Sequence, residues 1–290
     1  MTQKTAIEWT DSSCNPVRFK RKSDGKTGWA CTKVAAGCKF CYAEAMNLRF
    51  GTQLPYNVQS IDKVDAFIDF KALAQLYKLE PQKIFMFNMT DVFGDFIPAT
   101  YLAMTWMVML DLPQHTFQIL TKRPEKALLW SKIFARARES RLYEYELEQA
   151  KMYTKVYGAL NNHKAEYAWA NHLWLGVSIA TRDDLHNLDL LRACSAKYKF
   201  VSFEPLLEDL GKVDLHGINW VITGGESGPN RRPFDEKWAL GILAEADKLE
   251  IPFFHKQGSG FKPGQNDMLN GLRYKEFPVV YRDCFVEEPT

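Results

Sequence analysis

From residue 84 to residue 257 the sequence alternates a short run of apolar, β-branched and aromatic residues with a longer helical stretch, a pattern few folds accommodate. The short runs are 84–87, 116–120, 173–179, 199–203, 219–222 and 252–255, and residues 99–112 and 237–249 carry helical periodicity between them. Runs that are apolar on both sides predict strands buried on both faces, as in parallel sheets covered by helices. A short first strand within 8–14, ahead of the turn signal Asn15-Pro16, brings the total to about six or seven βα units. The expected fold is therefore α/β, a partial (β/α) barrel of the TIM type. No repeat or flexible linker interrupts it, so one domain over 1–290 is expected, with a basic insertion at 18–30 and a helical, charge-rich insertion at 135–171.

The residues that follow each run show where a site would lie. Asn88 and Asp91 follow the first, Lys122 and Arg123 the second, and Ser178 belongs to the third. Glu204 follows the fourth, Gly224-Gly225-Glu226 the fifth, and Lys256 the last. In a barrel all of these fall at the C-terminal mouth, where sites are built. Each also has a plainer explanation. Thr121-Lys-Arg-Pro-Glu125 suits a solvated helix start with Pro124 in its first turn as well as it suits a cation pair for a carboxylate or phosphate. Gly-Gly-Glu is equally a tight turn or a backbone that lets a ligand approach. Glu204, held extended by the proline after it, is the group best aimed into a mouth.

Three of the six cysteines, Cys31, Cys38 and Cys41, fall within eleven residues. Thiolates so spaced can converge on one metal, and three of them leave a cluster iron or a zinc one open position. A closed zinc site would need Cys14 or His255 as its fourth ligand. A helix expected from Cys38 through Phe50 would set the sulfurs in its positive end. Cys194 and Cys284 stand apart. No serine nucleophile elbow or metalloprotease His-Glu pair occurs.

Composition narrows the partners. A formal charge of +2 is too small to argue for a generally nucleic-acid-coating protein, so a polyanion would have to meet a local patch such as Arg18, Lys20, Arg21, Lys22 and Lys26. The first residues lack an apolar leader core, and the longest apolar run, 102–110, is too short for a bilayer. The expectation is a cytoplasmic protein without membrane contact, where clustered cysteines favour metal binding or redox chemistry over structural disulfides.

Taken together, Cys14-Asn-Pro-Val17, the cysteine loop through Glu44, Asn88-Met-Thr-Asp-Val-Phe93, Leu120-Thr-Lys-Arg-Pro-Glu125, Trp174-Leu-Gly-Val-Ser178, Ser202-Phe-Glu-Pro-Leu-Leu207, Gly224-Gly-Glu-Ser-Gly228 and Pro252-Phe-Phe-His-Lys-Gln257 resemble the phage-associated three-cysteine-motif proteins. That family looks like an outlying branch of the radical S-adenosylmethionine (radical SAM) enzymes. The resemblance implies a partial TIM barrel with a [4Fe–4S] cluster on Cys31, Cys38 and Cys41, whose free iron chelates SAM. It implies an external electron donor and reductive cleavage of SAM to a 5′-deoxyadenosyl radical. It also places Phe40 near the adenine. Asn88, Asp91, Ser178, Glu204, Gly224, Gly225 and Glu226 become candidate cofactor contacts, and Lys122, Arg123 and Lys256 candidate catalytic contacts. The chain departs from the usual radical SAM pattern in having six residues rather than three between its first two cysteines. Its Gly-Gly-Glu also sits near the sixth strand, leaving Asn88 and Asp91 in the second-strand position. The substrate stays open among a nucleic acid, a nucleotide and a small peptide, with a protein partner possible, and the alternative is a zinc-binding, non-catalytic barrel that recognises a protein or nucleic acid.

Overall fold

The computed structural model describes residues 3–136 and 169–279. Strand β1 (Gln3–Lys4) lies antiparallel on the edge of β2 (Ser12–Cys14). Strands β3 (Val17–Arg21), β4 (Thr27–Gly28) and β5 (Val64–Ile68) form a separate antiparallel sheet in the order β4-β3-β5. Beside β2 run β6 (Lys83–Met86), β7 (Thr116–Thr121), β8 (Leu173–Ser178), β9 (Tyr198–Phe203), β10 (Trp220–Gly224) and β11 (Phe253–Gln257), each parallel to its neighbour and in sequence order. Seven parallel strands thus make an open half-barrel, in agreement with the expected partial (β/α) barrel.

The two faces of the sheet follow from the period of two along each strand. Ile84, Met86, Phe117, Ile119, Leu175, Val177, Val201, Phe203, Val221 and Phe253 belong to the main core, shared with the covering helices. These are α3 (Phe70–Leu76), α4 (Ala99–Leu110), α5 (Pro124–Arg136), α6 (Asn187–Ala193) and α7 (Glu236–Asp247), after α1 (Tyr42–Phe50) and α2 (Val58–Ile61). The alternate residues Phe85, Trp174, Phe200, Trp220, Ile222 and Phe254 make a second cluster around Trp9, whose ring lies 4.6 Å from Phe85 and 6.2 Å from Trp220. Gly176 is needed in this layer, because a Cβ there would meet the Phe200 ring at 2.4 Å. Two residues further along the same rows the chemistry turns polar: Trp174 and Gly176 give way to Ser178, Phe200 to Ser202, Trp220 and Ile222 to Gly224, and Phe254 to Lys256. The concave face is therefore plugged by aromatics at its N-terminal end and polar at its C-terminal end.

Two expectations need correction or restriction. The basic stretch 18–30 is built on strands rather than on a loop as its run of cations suggests: it holds β4 and all of β3 after Val17, with Val17 and Phe19 buried. Several of its cations also meet acids, since Arg18 lies 3.8 Å from Asp69, Lys22 lies 3.5 Å from Asp65, and Arg21 pairs with Asp24. The helical insertion expected at 135–171 falls almost wholly on 137–168, outside the described residues; Trp169, just after them, is buried edge-on to Trp106 at 4.3 Å. Among the described residues no helix is long and apolar enough to cross a membrane.

Candidate functional site

Glu204, one residue past β9, stands at the centre of the mouth. Its Oε1 lies 3.1 Å from Lys256 Nζ, its Oε2 accepts from Ser202 Oγ at 3.1 Å, and its backbone oxygen accepts from Ser178 Oγ at 2.9 Å. A Cβ at Gly224 would come within 2.6 Å of Oε1, so the missing side chain makes the space this carboxylate occupies. Ser178, Glu204, Gly224 and Lys256, expected from their places after four runs, are thus brought together. Ser202 was not anticipated; its position two residues before Glu204 on an alternating strand is the signal that finds it.

The cysteine loop sits on this mouth. A Cβ at Gly37 would meet Ala180 and Pro205 at 3.2 Å and Lys122 Cε at 3.4 Å, which seats the loop against the residues beyond β7, β8 and β9. Two arginines fasten it. Arg123 Nη2 donates to Thr32 O at 2.9 Å and to Thr32 Oγ1 at 2.6 Å. The Arg232 guanidinium donates to Ala36 O at 3.2 Å from both terminal nitrogens. Each arginine is backed by an acid. Asp91 lies 3.9 Å from Arg123 Nε and accepts from Thr121 Oγ1 at 2.8 Å, Lys122 N at 2.9 Å and Phe93 N at 3.1 Å. Glu226 Oε2 accepts from Arg232 N at 2.8 Å and Nε at 3.0 Å, and its Oε1 pairs with Nη2. Asp91, Arg123 and Glu226 are therefore engaged in holding the loop. Arg232 lies in an irregular segment after β10, where no sequence pattern points to it.

The remaining expected contacts lie around this core. Asn88 Oδ1 accepts from Asn15 Nδ2 at 2.6 Å, and its backbone oxygen accepts from Tyr42 Oη at 2.7 Å. Tyr42 is 53% exposed, and desolvation, with nearby Cys41 and Glu204, holds its pKa above the ordinary tyrosine value. Gly225 packs backbone to backbone, since a Cβ would lie 2.7 Å from Ser259 N. Phe40 is 40% exposed, with Arg232 and Lys39 over its ring at 5.4 and 5.3 Å.

The helix expected from Cys38 begins only at Tyr42. Cys38 instead closes a 3₁₀ turn, Ala36–Cys38, and Cys41 is the extended residue capping α1. Cys31 and Cys41 pack into one niche with Trp29, Ala43, Tyr56 and Met89. Burial pushes the Cys31 thiol up to about 12, with Asp91 adding to the effect and Arg123 opposing it. Burial also raises Cys41, against the pull of Lys122, and Cys38 is near enough to disfavour its ionisation further. Among the described residues no group of three or more His, Cys, Asp and Glu has a metal-holding arrangement. The donor chemistry nevertheless fits a soft metal centre: Cys41 is within electrostatic reach of both Cys31 and Cys38, and the cations Lys122 and Arg123 stand beside them. Neither expected fourth ligand lies with them. Cys14 belongs to the main core, its Sγ 3.9 Å from Ala72 O, and His255 bonds Thr223 Oγ1 at 2.9 Å and stacks on Phe234.

A family model described as "Protein of unknown function (DUF5131)" matches residues 4–278, which takes in the half-barrel sheet and the cysteine loop. No curated protein and no solved structure matches.

Proposed function

Starting from a chain that belongs to the DUF5131 family, we propose that the mouth of the half-barrel is a radical-SAM-like active site in which Cys31, Cys38 and Cys41 hold a [4Fe–4S] cluster. The observation that carries this reading is the seating of the cysteine loop, through Gly37, on a mouth whose centre is the Glu204–Lys256 pair. With Cys14 and His255 engaged elsewhere, the protein supplies three soft ligands and leaves the fourth position to a small molecule. Bound there, cluster and SAM together would supply a carbon radical from one externally donated electron.

The chain's own residues then have separable tasks. Glu204 is the carboxylate for an ammonium or ribose hydroxyl, with Ser178 and Ser202 fixing its orientation and Gly224 its space. Lys122 and Lys256 are the cations for a carboxylate or an anionic substrate. Phe40 offers a ring face on the rim, and Asn88 a contact beside Tyr42. Asp91 with Arg123, and Glu226 with Arg232, position the loop rather than touch ligand. Trp9 and its aromatic neighbours keep water from entering through the opposite end.

Anaerobic reconstitution with iron and sulfide tests the reading. The expected product is brown, carries about four irons and cleaves SAM when reduced. Alanine at Cys31, Cys38 or Cys41 should abolish both properties, with Cys14, Cys194 and Cys284 dispensable. A colourless protein that holds zinc instead, or loss of all iron in Cys14→Ala, would overturn it.

A further inference from the structure

Helix α1 buries only Ala43 and Asn47, and leaves Tyr42, Met46 and Phe50, spaced i, i+4, i+8, as a stripe 53%, 45% and 61% exposed. The stripe starts at the mouth, because the Tyr42 hydroxyl reaches Asn88, and extends about 12 Å along the helix at 1.5 Å per residue. Phe40 adds a third exposed ring at its inner end. Cations accompany these rings: Arg49 stands over Phe50 at 4.7 Å, and Lys39 over Phe40 at 5.3 Å. From Cys31 to Phe50 the only acid is Glu44, which Lys33 already pairs at 2.6 Å. Among the described residues neither Lys39 nor Arg49 is within ion-pair distance of a carboxylate.

We propose that this stripe is a docking track for single-stranded nucleic acid, with bases stacking on Phe40, Tyr42 and Phe50, phosphates meeting Lys39 and Arg49, and the strand leading into the mouth at Lys122. Exposed aromatics interleaved with unpaired cations suit that ligand, since every base has a face to stack and every nucleotide a charge to neutralise. A duplex keeps its bases stacked internally and cannot use the rings. The expected basic patch is a poorer site, because its hairpin cations at Arg18, Arg21 and Lys22 are matched by acids.

The inference names the class of substrate for the site proposed above, and rests on that reading only for the chemistry that comes after binding. Fluorescence anisotropy of the full chain with a labelled 12-nucleotide DNA or RNA strand, and with the same sequence as a duplex, tests it across 50–300 mM salt. The single strand should bind, and the duplex at least about tenfold more weakly. Phosphate contacts at Lys39, Arg49 and Lys122 predict a log–log salt slope of about −2. Phe50→Ala and Phe40→Ala should each weaken binding about five- to a hundredfold, and Arg49→Gln should flatten the slope by about 0.7. No binding at 50 mM salt, preference for the duplex, or unchanged affinity in both phenylalanine variants would overturn the track. So would self-association of the chain that Phe50→Ala abolishes, with nucleic-acid binding untouched. Anisotropy reads binding with or without iron, so binding in a chain that takes up no iron sinks the metal reading and keeps this one, and iron uptake without binding does the reverse.

Discussion

At Gly224 one hydrogen in place of a methyl group decides whether Glu204 can enter the mouth. Its φ lies outside the left-handed region, so Gly224→Ala meets no positive-φ penalty; what it adds is a carbon 2.6 Å from Glu204 Oε1. The carboxylate must swing away, giving up its 3.1 Å approaches to Lys256 and Ser202. SAM affinity, read by calorimetry, should fall at least about tenfold while the melting temperature moves by only a few degrees, since one half-buried ion pair is worth about 1 kcal/mol. Gly241→Ala is the control: nothing lies within 4 Å of its Cβ position, it sits inside α7, and it should stabilise by about 0.5–1 kcal/mol with SAM affinity intact. Equal affinities in the two variants would remove Glu204 from the site. Glu204, Lys256 and Gly224 are legible in the sequence because a polar residue directly after an apolar run has few places to go. Asp91 and Glu226 show the limit of that logic. Each is visible as a carboxylate at a strand end, but the arginine that occupies it is set by how the next turn returns.

The cysteine loop is an element held at two points, near its start by Arg123 at Thr32 and at its middle by Arg232 at Ala36. A guanidinium can fork between a carboxylate and a carbonyl, whereas an ammonium is a single point and cannot span both. Arg232→Lys should therefore keep contact with Glu226 and release Ala36. The expected result, in the metal-free chain, is iodoacetamide labelling of Cys38 and Cys41 accelerated at least about threefold, with Cys14 unaffected in the core and the fold's stability changed by less than about 1 kcal/mol. Labelling at the wild-type rate would mean the loop holds itself. Two elements are less legible than the main strands, for identifiable reasons. In Val17-Arg-Phe-Lys-Arg21 the strand signal is the alternation of buried Val17 and Phe19, and the three cations between and after them read as a solvated loop. In the cysteine loop, helical periodicity extends back to Cys38, but Cys38 N and Lys39 N bond Ala35 O and Ala36 O in a tight turn, and Cys41 is extended, so α1 starts at Tyr42.

On the scale of the whole molecule, the convex side of the half-barrel carries a pH dependence the mouth does not reveal. His255, within β11, is fully buried and stacked on Phe234, and burial lowers its pKa to about 4 against the upward pull of the Asn266 carbonyl. Burial also lowers His115, which accepts from Gln82 N at 3.3 Å and lies 3.1 Å from Leu76 O, and His172, 2.8 Å from Met109 O. A base whose folded pKa lies below its unfolded value of about 6.5 leaves stability unaffected above that value. As pH falls through 6.5 the unfolded chain takes up protons that the folded chain refuses, so stability declines until the folded groups titrate. Between pH 7.5 and 5 His255 alone should remove about 2 kcal/mol, with His115 and His172 acting in the same direction. The window stops at pH 5 because carboxylates take over below it. Urea midpoints over that range should fall steadily in the wild-type chain, and the decline should shrink by about 2 kcal/mol in His255→Gln. Should that variant not fold, wild-type unfolding at pH 6 must still show net proton uptake. A midpoint that stays level from pH 7.5 to 5, or unfolding without proton uptake, would mean the convex face opens to water and the helices do not seal the sheet.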